Sequence, residues 1–281
     1  MHIHWFPGHM AKARRVISEH LKLIDVVIEL LDARIPESSA NPMIQEIVGD
    51  KPRVIAFNKA DLADSRHTEQ WMARFKEQGL PVAAIEAVSG KGLKQLIQYV
   101  EQAAAEKLAK WEAKGIKSRP VRAMVLGIPN VGKSSLINRL LGTATVKTAN
   151  RPGVTRGQQW IKIGNRLELL DTPGVLWPKM DDQAVAFKLA VTGAVKDDVY
   201  DYDTVLKQLV DFLRQEYPGR LIERFSLTEI PADNQALLGL IGAKRGCLKS
   251  GGLVDYEKAG KILLQEFRNG KLGKITLDFL L

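Results

Sequence analysis

Gly127-Ile-Pro-Asn-Val-Gly-Lys-Ser-Ser135 decides the fold. It fits G-x-x-x-x-G-K-[ST], the phosphate-binding loop. The run Val121–Leu126 before it reads as a strand, and Ser134–Leu141 after it reads as a helix. Glycines at 127 and 132 let the backbone wrap closely around phosphates, so that the N–H groups from Asn130 through Val131, Gly132, Lys133, Ser134 and Ser135 can turn inward. Lys133 adds a point charge, the Ser134 hydroxyl suits Mg²⁺, and the helix N-terminus favours negative charge. A strand before and a helix after separate such a loop from a glycine-rich βα turn that merely matches the pattern.

Outward from the loop, the apolar runs predict an α/β domain with a mostly parallel sheet. Residues 24–31 (IDVVIELL) read as a buried strand, and Asp32-Ala-Arg-Ile-Pro36 leaves its carboxyl end, where ligand loops gather in such sheets. Arg53–Phe57 and Leu80–Ile85 are two more strands. Trp160–Ile163 and Leu167–Leu170 flank Gly164-Asn165, a hairpin signal. Helical periodicity covers 9–24, 42–48, 68–78 and 93–113. From about residue 199 the pattern is purely helical, with runs around 205–213, 236–241 and 259–267. The expected organisation is a nucleotide domain over 1–180 and a small all-helical C-terminal domain over 181–281, with 107–121 joining two parts of the first.

Four further elements say which nucleotide. Asn58-Lys59-Ala60-Asp61 matches N-K-x-D at a strand end. The Asp61 carboxylate can accept from N1–H and the exocyclic amine of guanine, an edge that adenine does not present, and unpaired buried polar groups reject the wrong base. Asp171-x-x-Gly174 matches D-x-x-G, with Asp171 near Mg²⁺ and the Gly174 amide near the γ-phosphate. Thr155 is the candidate switch threonine, closing on both. Glu86-Ala87 with Gly90-Lys91-Gly92-Leu93 resembles the S-A-x-x-G-x-G-L element that backs the base, with Glu86 where Ser is usual. The implied ligands are GTP and GDP.

The order of these elements is unusual. Ordinary GTPases run phosphate loop, switch threonine, D-x-x-G, N-K-x-D, S-A. Here N-K-x-D and the S-A-like element come first, so the P-loop GTPase domain reads as circularly permuted. Permutation costs little where the old termini lie close together on the surface.

Composition narrows the setting. The chain has 281 residues, 45% hydrophobic and 26% charged, with one cysteine, Cys247, so neither an intrachain disulfide nor a cysteine-based metal cage is possible. No apolar run reaches the roughly 18 residues of a membrane span, and the N-terminus lacks the apolar core of a signal peptide. No membrane partner and a cytoplasmic setting are expected. The net charge of +9 is uneven: residues 181–281 hold 14 Lys+Arg against 15 Asp+Glu, so the excess lies in the first 180. Within the C-terminal part, 244–274 is basic, 8 against 3. A polyanion such as nucleic acid is one reading, and a solvated basic protein is the other. Lys244, Arg245 and Lys249, near Gly251-Gly252, are the candidate RNA contacts.

The permuted order, with W-F-P-G-H-M at 5–10, D-A-R-I-P at 32–36, G-I-P-N-V-G-K-S at 127–134, D-T-P-G-V at 171–175 and K-R-G-C-L-x-S-G-G at 244–252, resembles the bacterial YlqF/RbgA group of circularly permuted ribosome-biogenesis GTPases. The resemblance implies GTP hydrolysis coupled to late maturation of the large ribosomal subunit, with binding to its rRNA. The alternatives are action on the small subunit or another RNA, or a nucleotide-gated RNA-binding module with negligible turnover. A monomer is expected. Ras-like enzymes place a water-positioning Gln directly after D-x-x-G. Val175 and Leu176 stand here, so His9, in the opening signature, is the candidate catalytic group beside Lys133 and Thr155. Asn130, preceded by Pro129, resembles K⁺-activated GTPases, where its side-chain oxygen helps hold K⁺ against the phosphates.

Overall fold

Strand β1 (Val26–Asp32) is buried along its whole length and sits inside a six-stranded sheet. The computed structural model of the chain describes residues 7–115, 119–143, 160–170 and 182–280. The sheet order is β3 (Val82–Ala84), β2 (Arg53–Asn58), β1, β4 (Val121–Gly127), β6 (Leu167–Leu170), β5 (Trp160–Ile163). All neighbours are parallel except the β5–β6 hairpin. Strand order runs leftward from β1 through β3 and rightward from β4. It therefore reverses between β1 and β4, and the crevice at the carboxyl ends of the strands opens there. The permuted chain thus places the phosphate-loop strand β4 centrally, with β1 and β2 on one side and the D-x-x-G strand β6 on the other.

Two clusters explain why β1 is apolar. Val27 packs with Ile17 and Leu21 of α1 (Pro7–Leu21), with Met43, Ile44 and Val48 of α2 (Pro42–Val48), and with Met124 and Leu126 of β4. Leu31 packs with Ile55, Phe57, Val82 and Trp71 of α3 (Ser65–Glu77). Helix α4 (Leu93–Glu112) packs against β1, β2, β3 and β4, and α5 (Lys133–Thr143) against β4 and β5. Helix α1 ends three residues before the predicted position 24. Lys51 Nζ donates to the carbonyls of Leu21, at 2.6 Å, and Ile24, at 2.8 Å, which satisfies acceptors at and just beyond the helix end.

The chain divides into two compact units. One runs to Lys179 and takes in Asp278–Leu281, and the other includes Met180–Leu277. The boundary expected at 180 assigns the whole C-terminal stretch to the helical part, and the chain end corrects it. Asp278 is 1% exposed and bonds Ser38 and Trp71, so residues 278–280 belong to the sheet-containing unit. No periodicity marks this, because the contact is a single buried acid in an apolar tail.

The other unit is helical: α6 (Gln183–Val191), α7 (Tyr202–Glu216), α8 (Pro218–Phe225), α9 (Asn234–Lys244) and α10 (Tyr256–Arg268). Helix α8 is not among the predicted elements. Its Pro218-Gly219 start reads as a break, yet proline in the first turn loses no intrahelical hydrogen bond. Asp182, Asp201, Asp233 and Asp255 cap four of these helices, so part of the acidity of this region is helix capping.

Candidate functional site: a guanine-nucleotide pocket

The loops after β1, β2, β3 and β4 meet at the carboxyl edge of the sheet, and Asn58 stitches three of them together. Its Nδ2 donates to the Val131 carbonyl at 2.8 Å, and its Oδ1 accepts from the Ala87 amide at 3.0 Å. The side chain is 3% exposed, so both bonds form away from water. This close passage explains Gly132: a Cβ there would lie 2.2 Å from Asn58 Nδ2, and φ is +107°. At Gly127 a Cβ would meet the Leu30 carbonyl at 2.5 Å, so β4 approaches β1 at this point only as glycine.

Lys59 and Asn130 are two of the three described non-glycine residues with positive φ, at 60° and 56°. Such backbone costs of order 1–3 kcal/mol and persists only where its surroundings hold it. They hold each other: Lys59 Nζ donates to the Asn130 carbonyl at 2.9 Å. The same ammonium bonds Asp32 Oδ2 at 2.9 Å, and Arg34 grips that carboxylate through Nε at 2.9 Å and Nη2 at 2.8 Å. Burial alone would push the Asp32 carboxyl up. The Arg34 and Lys59 charges outweigh it and hold the group far below the ordinary carboxylate range. Asp32 and Arg34 are 2% exposed. Sequence reasoning placed D-A-R-I-P at a ligand edge but did not find this ion triad, because its members lie on two different strand ends.

Lys133 is 8% exposed and donates to the carbonyls of Gly127, at 3.1 Å, and Ile128, at 2.9 Å. Its ammonium therefore sits inside the curl of the loop, at the first turn of α5. Ser134 and Ser135 follow, exposed, with their hydroxyls at the helix N-terminus. A hard cation takes oxygen ligands, so the Ser134 hydroxyl fits Mg²⁺. The Asp32 carboxylate is engaged by Arg34 and Lys59. Among the described residues no group of three His, Cys, Asp or Glu could hold a metal ion.

Ala60 is half-buried and Asp61 exposed beyond Lys59. Glu86, in the place usual for Ser, turns back on its own loop. It accepts from Ser89 Oγ at 2.7 Å and pairs with Lys91 at 3.3 Å, which shapes the turn that follows β3. Arg139 of α5 donates to the Ser89 carbonyl and braces that turn against the phosphate-loop helix. His9 lies in the first turn of α1, and its side chain is outside the described residues, as are Thr155, Asp171, Gly174 and Val175.

The constellation has full-length counterparts. Ribosome biogenesis GTPase A of Priestia megaterium is 54% identical over 279 residues, covering 99% of this chain and 97% of that protein. The chain belongs to the ribosome biogenesis GTPase A family. As a member of that family it binds guanine nucleotide and hydrolyses GTP. The family model described as 50S ribosome-binding GTPase matches residues 122–222, a span from the phosphate-loop strand into the helical unit. Mitochondrial ribosome-associated GTPase 1 of Bos taurus is 33% identical over 98% of this chain and 88% of that protein. The crystal structure of GNP-bound YlqF from T. maritima is 26% identical, with a TM-score of 0.66 over 95% of this chain and 97% of that one. GTPases of this kind generally work with Mg²⁺. No helix among the described residues is long and apolar enough to cross a membrane.

Among the candidate RNA contacts, Arg245 has another occupation. Its guanidinium bonds Glu266 at 2.9 Å and lies 4.9 Å from the Phe225 ring, so it holds the helical unit together. Lys244 and Lys249 are exposed, with Asp255 at 4.0 Å from Lys249. Charge counting could not separate these three, since pairing depends on where α10 brings Glu266.

Proposed function

We propose that the chain couples GTP binding and hydrolysis to late assembly of the large ribosomal subunit by binding the rRNA of its precursor. The observation that carries this reading is near-full-length likeness to relatives named for ribosome biogenesis, together with a family description that names the 50S particle. Asp61 selects guanine, the loop 130–135 cradles the phosphates, and Ser134, Thr155 and Asp171 hold Mg²⁺, which neutralises phosphate charge during transfer. Asn130, exposed and left-handed, carries K⁺ against the phosphates, and His9 positions the attacking water that Val175 does not. Lys244 and Lys249 contact RNA phosphates. The protein acts as a cytoplasmic monomer.

Co-sedimentation with large-subunit precursors and with small subunits, in a non-hydrolysable GTP analogue and in GDP, tests the particle. Preferential binding to the large-subunit precursor with the analogue is expected, and binding to neither particle would overturn the reading. In the same preparation, turnover should rise when K⁺ replaces Na⁺ and fall in His9→Ala at unchanged GTP affinity. Equal rates would remove those two roles.

A further inference from the structure

The last residues of the chain pack against the loop that follows β1 and against α3. Asp278 is 1% exposed and its carboxylate accepts from the Ser38 amide at 2.8 Å and from Ser38 Oγ at 2.7 Å, across 240 residues of sequence. The Asp278 carbonyl accepts from Trp71 Nε1 at 2.9 Å, and the Phe279 ring lies 4.8 Å from that of His67. Ser39, the next residue of the loop, accepts the Asp32 amide on its Oγ at 3.0 Å and is 1% exposed. Asp32 in turn holds Lys59, and Lys59 holds the Asn130 carbonyl. Hydrogen bonds, joined by the Ser38–Ser39 backbone, thus lead from Asp278 through buried Asp32 to Lys59, whose exposed bond to Asn130 reaches the phosphate loop.

An acid is a costly choice at this position. Leu277, Phe279 and Leu280 surround it in sequence, and an apolar residue would fill the same space without the several kcal/mol of desolvating a carboxylate. What the acid supplies is two hydrogen bonds that set the loop carrying Ser38 and Ser39. That loop starts at Asp32, whose position fixes the Lys59 ammonium. We infer that Asp278 is a positioning residue of the guanine-nucleotide site. It acts through Ser38, Ser39 and Asp32 on Lys59 and Asn130, and it keeps bound nucleotide from leaving.

The inference rests on Lys59 and Asn130 belonging to the nucleotide site, so the test includes that assignment. Dissociation of a fluorescent GDP analogue is measured from full-length wild type, Lys59→Ala, Asp278→Ala, Asp278→Asn, Ser38→Ala, the Asp278→Ala/Ser38→Ala double variant and Trp71→Phe. The loss of two charge-assisted hydrogen bonds, felt through Ser38, Ser39 and Asp32, should speed release about three- to tenfold in Asp278→Ala. Ser38→Ala, which loses the Oγ bond and keeps the amide bond, should show part of this effect, and the double variant should add nothing beyond Asp278→Ala. Asp278→Asn, which keeps one acceptor, should recover part of the loss. Trp71→Phe, which removes the bond to the carbonyl and keeps the carboxylate, should release GDP at the wild-type rate. KM for GTP should rise with kcat unchanged. Fast release in Lys59→Ala with wild-type release in Asp278→Ala and Ser38→Ala would overturn the inference, even if both melt earlier. Wild-type release in Lys59→Ala would overturn the site assignment instead. Should Asp278→Ala fail to fold, Asp278→Asn and Ser38→Ala decide by the same rates.

Discussion

Glu29 stands in the middle of β1 with 3% exposure and, among the described residues, pairs with Arg53 at 3.1 Å. Burial pushes its carboxyl up and outweighs the Arg53 charge, the reverse of Asp32 three residues on, where two cations win. The sign for stability follows. With the folded value raised above 4.5, the native state holds its proton more tightly, so this contribution is full below the ordinary carboxylate range and is lost as pH rises through the raised value. Glu29→Gln removes that slope. Urea unfolding at several pH values should show the stability of the wild type falling relative to the variant as pH climbs from about 4 towards neutrality. A pH-independent difference would mean that folding leaves the proton affinity of Glu29 unchanged.

At the scale of elements, the permutation leaves a seam where α4 now feeds β4, and Asp25 closes it. The Asp25 side chain, fully buried, accepts from Lys107 Nζ at 2.6 Å, from Arg119 at 2.8 and 3.0 Å, and from the Arg122 amide at 2.9 Å. Trp111 lies under both cations, 4.9 Å from Lys107 and 4.6 Å from Arg119. Helix α4, the connector and the start of β4 thus share one carboxylate at the foot of β1. Asp25→Ala would leave these cations gathered without their anion and should cost about 2–4 kcal/mol of the unfolding free energy. Denaturant melts would read this as a lower midpoint at an unchanged slope. A loss within 0.5 kcal/mol would show that the connector needs no clamp.

At the scale of the whole molecule, each unit has its own ionic centre. In the helical unit it is Glu266, which joins Arg224 of α8, at 2.8 Å, to Arg245 at the end of α9, at 2.9 Å. Burial raises the Glu266 carboxyl, and the two guanidinium groups more than reverse this and lower it. Its stabilisation is therefore present above the ordinary carboxylate range and is lost as pH falls. Glu266→Gln should lower the melting temperature of the helical unit by several degrees and leave GDP affinity at the wild-type value. Calorimetry and nucleotide titration on the same sample would check both halves, and a shared loss would tie the unit to the nucleotide site.

Residue types and their spacing carried the phosphate loop, the guanine motif, the permuted order and the strands from Val26 to Leu170. These follow from local chemistry: glycine where backbone must approach, an acid where a base edge is read, β-branched runs where both faces of a strand are covered. Spacing did not carry the Asp32–Lys59–Asn130 tie, the Asp25 seam, the employment of Arg245 or the return of Asp278. Those pairings span 27 and 71, 94, 21 and 240 residues. Only packing decides which charges meet at such separations, because a buried acid is indifferent to sequence distance and answers only to which donors the fold places beside it.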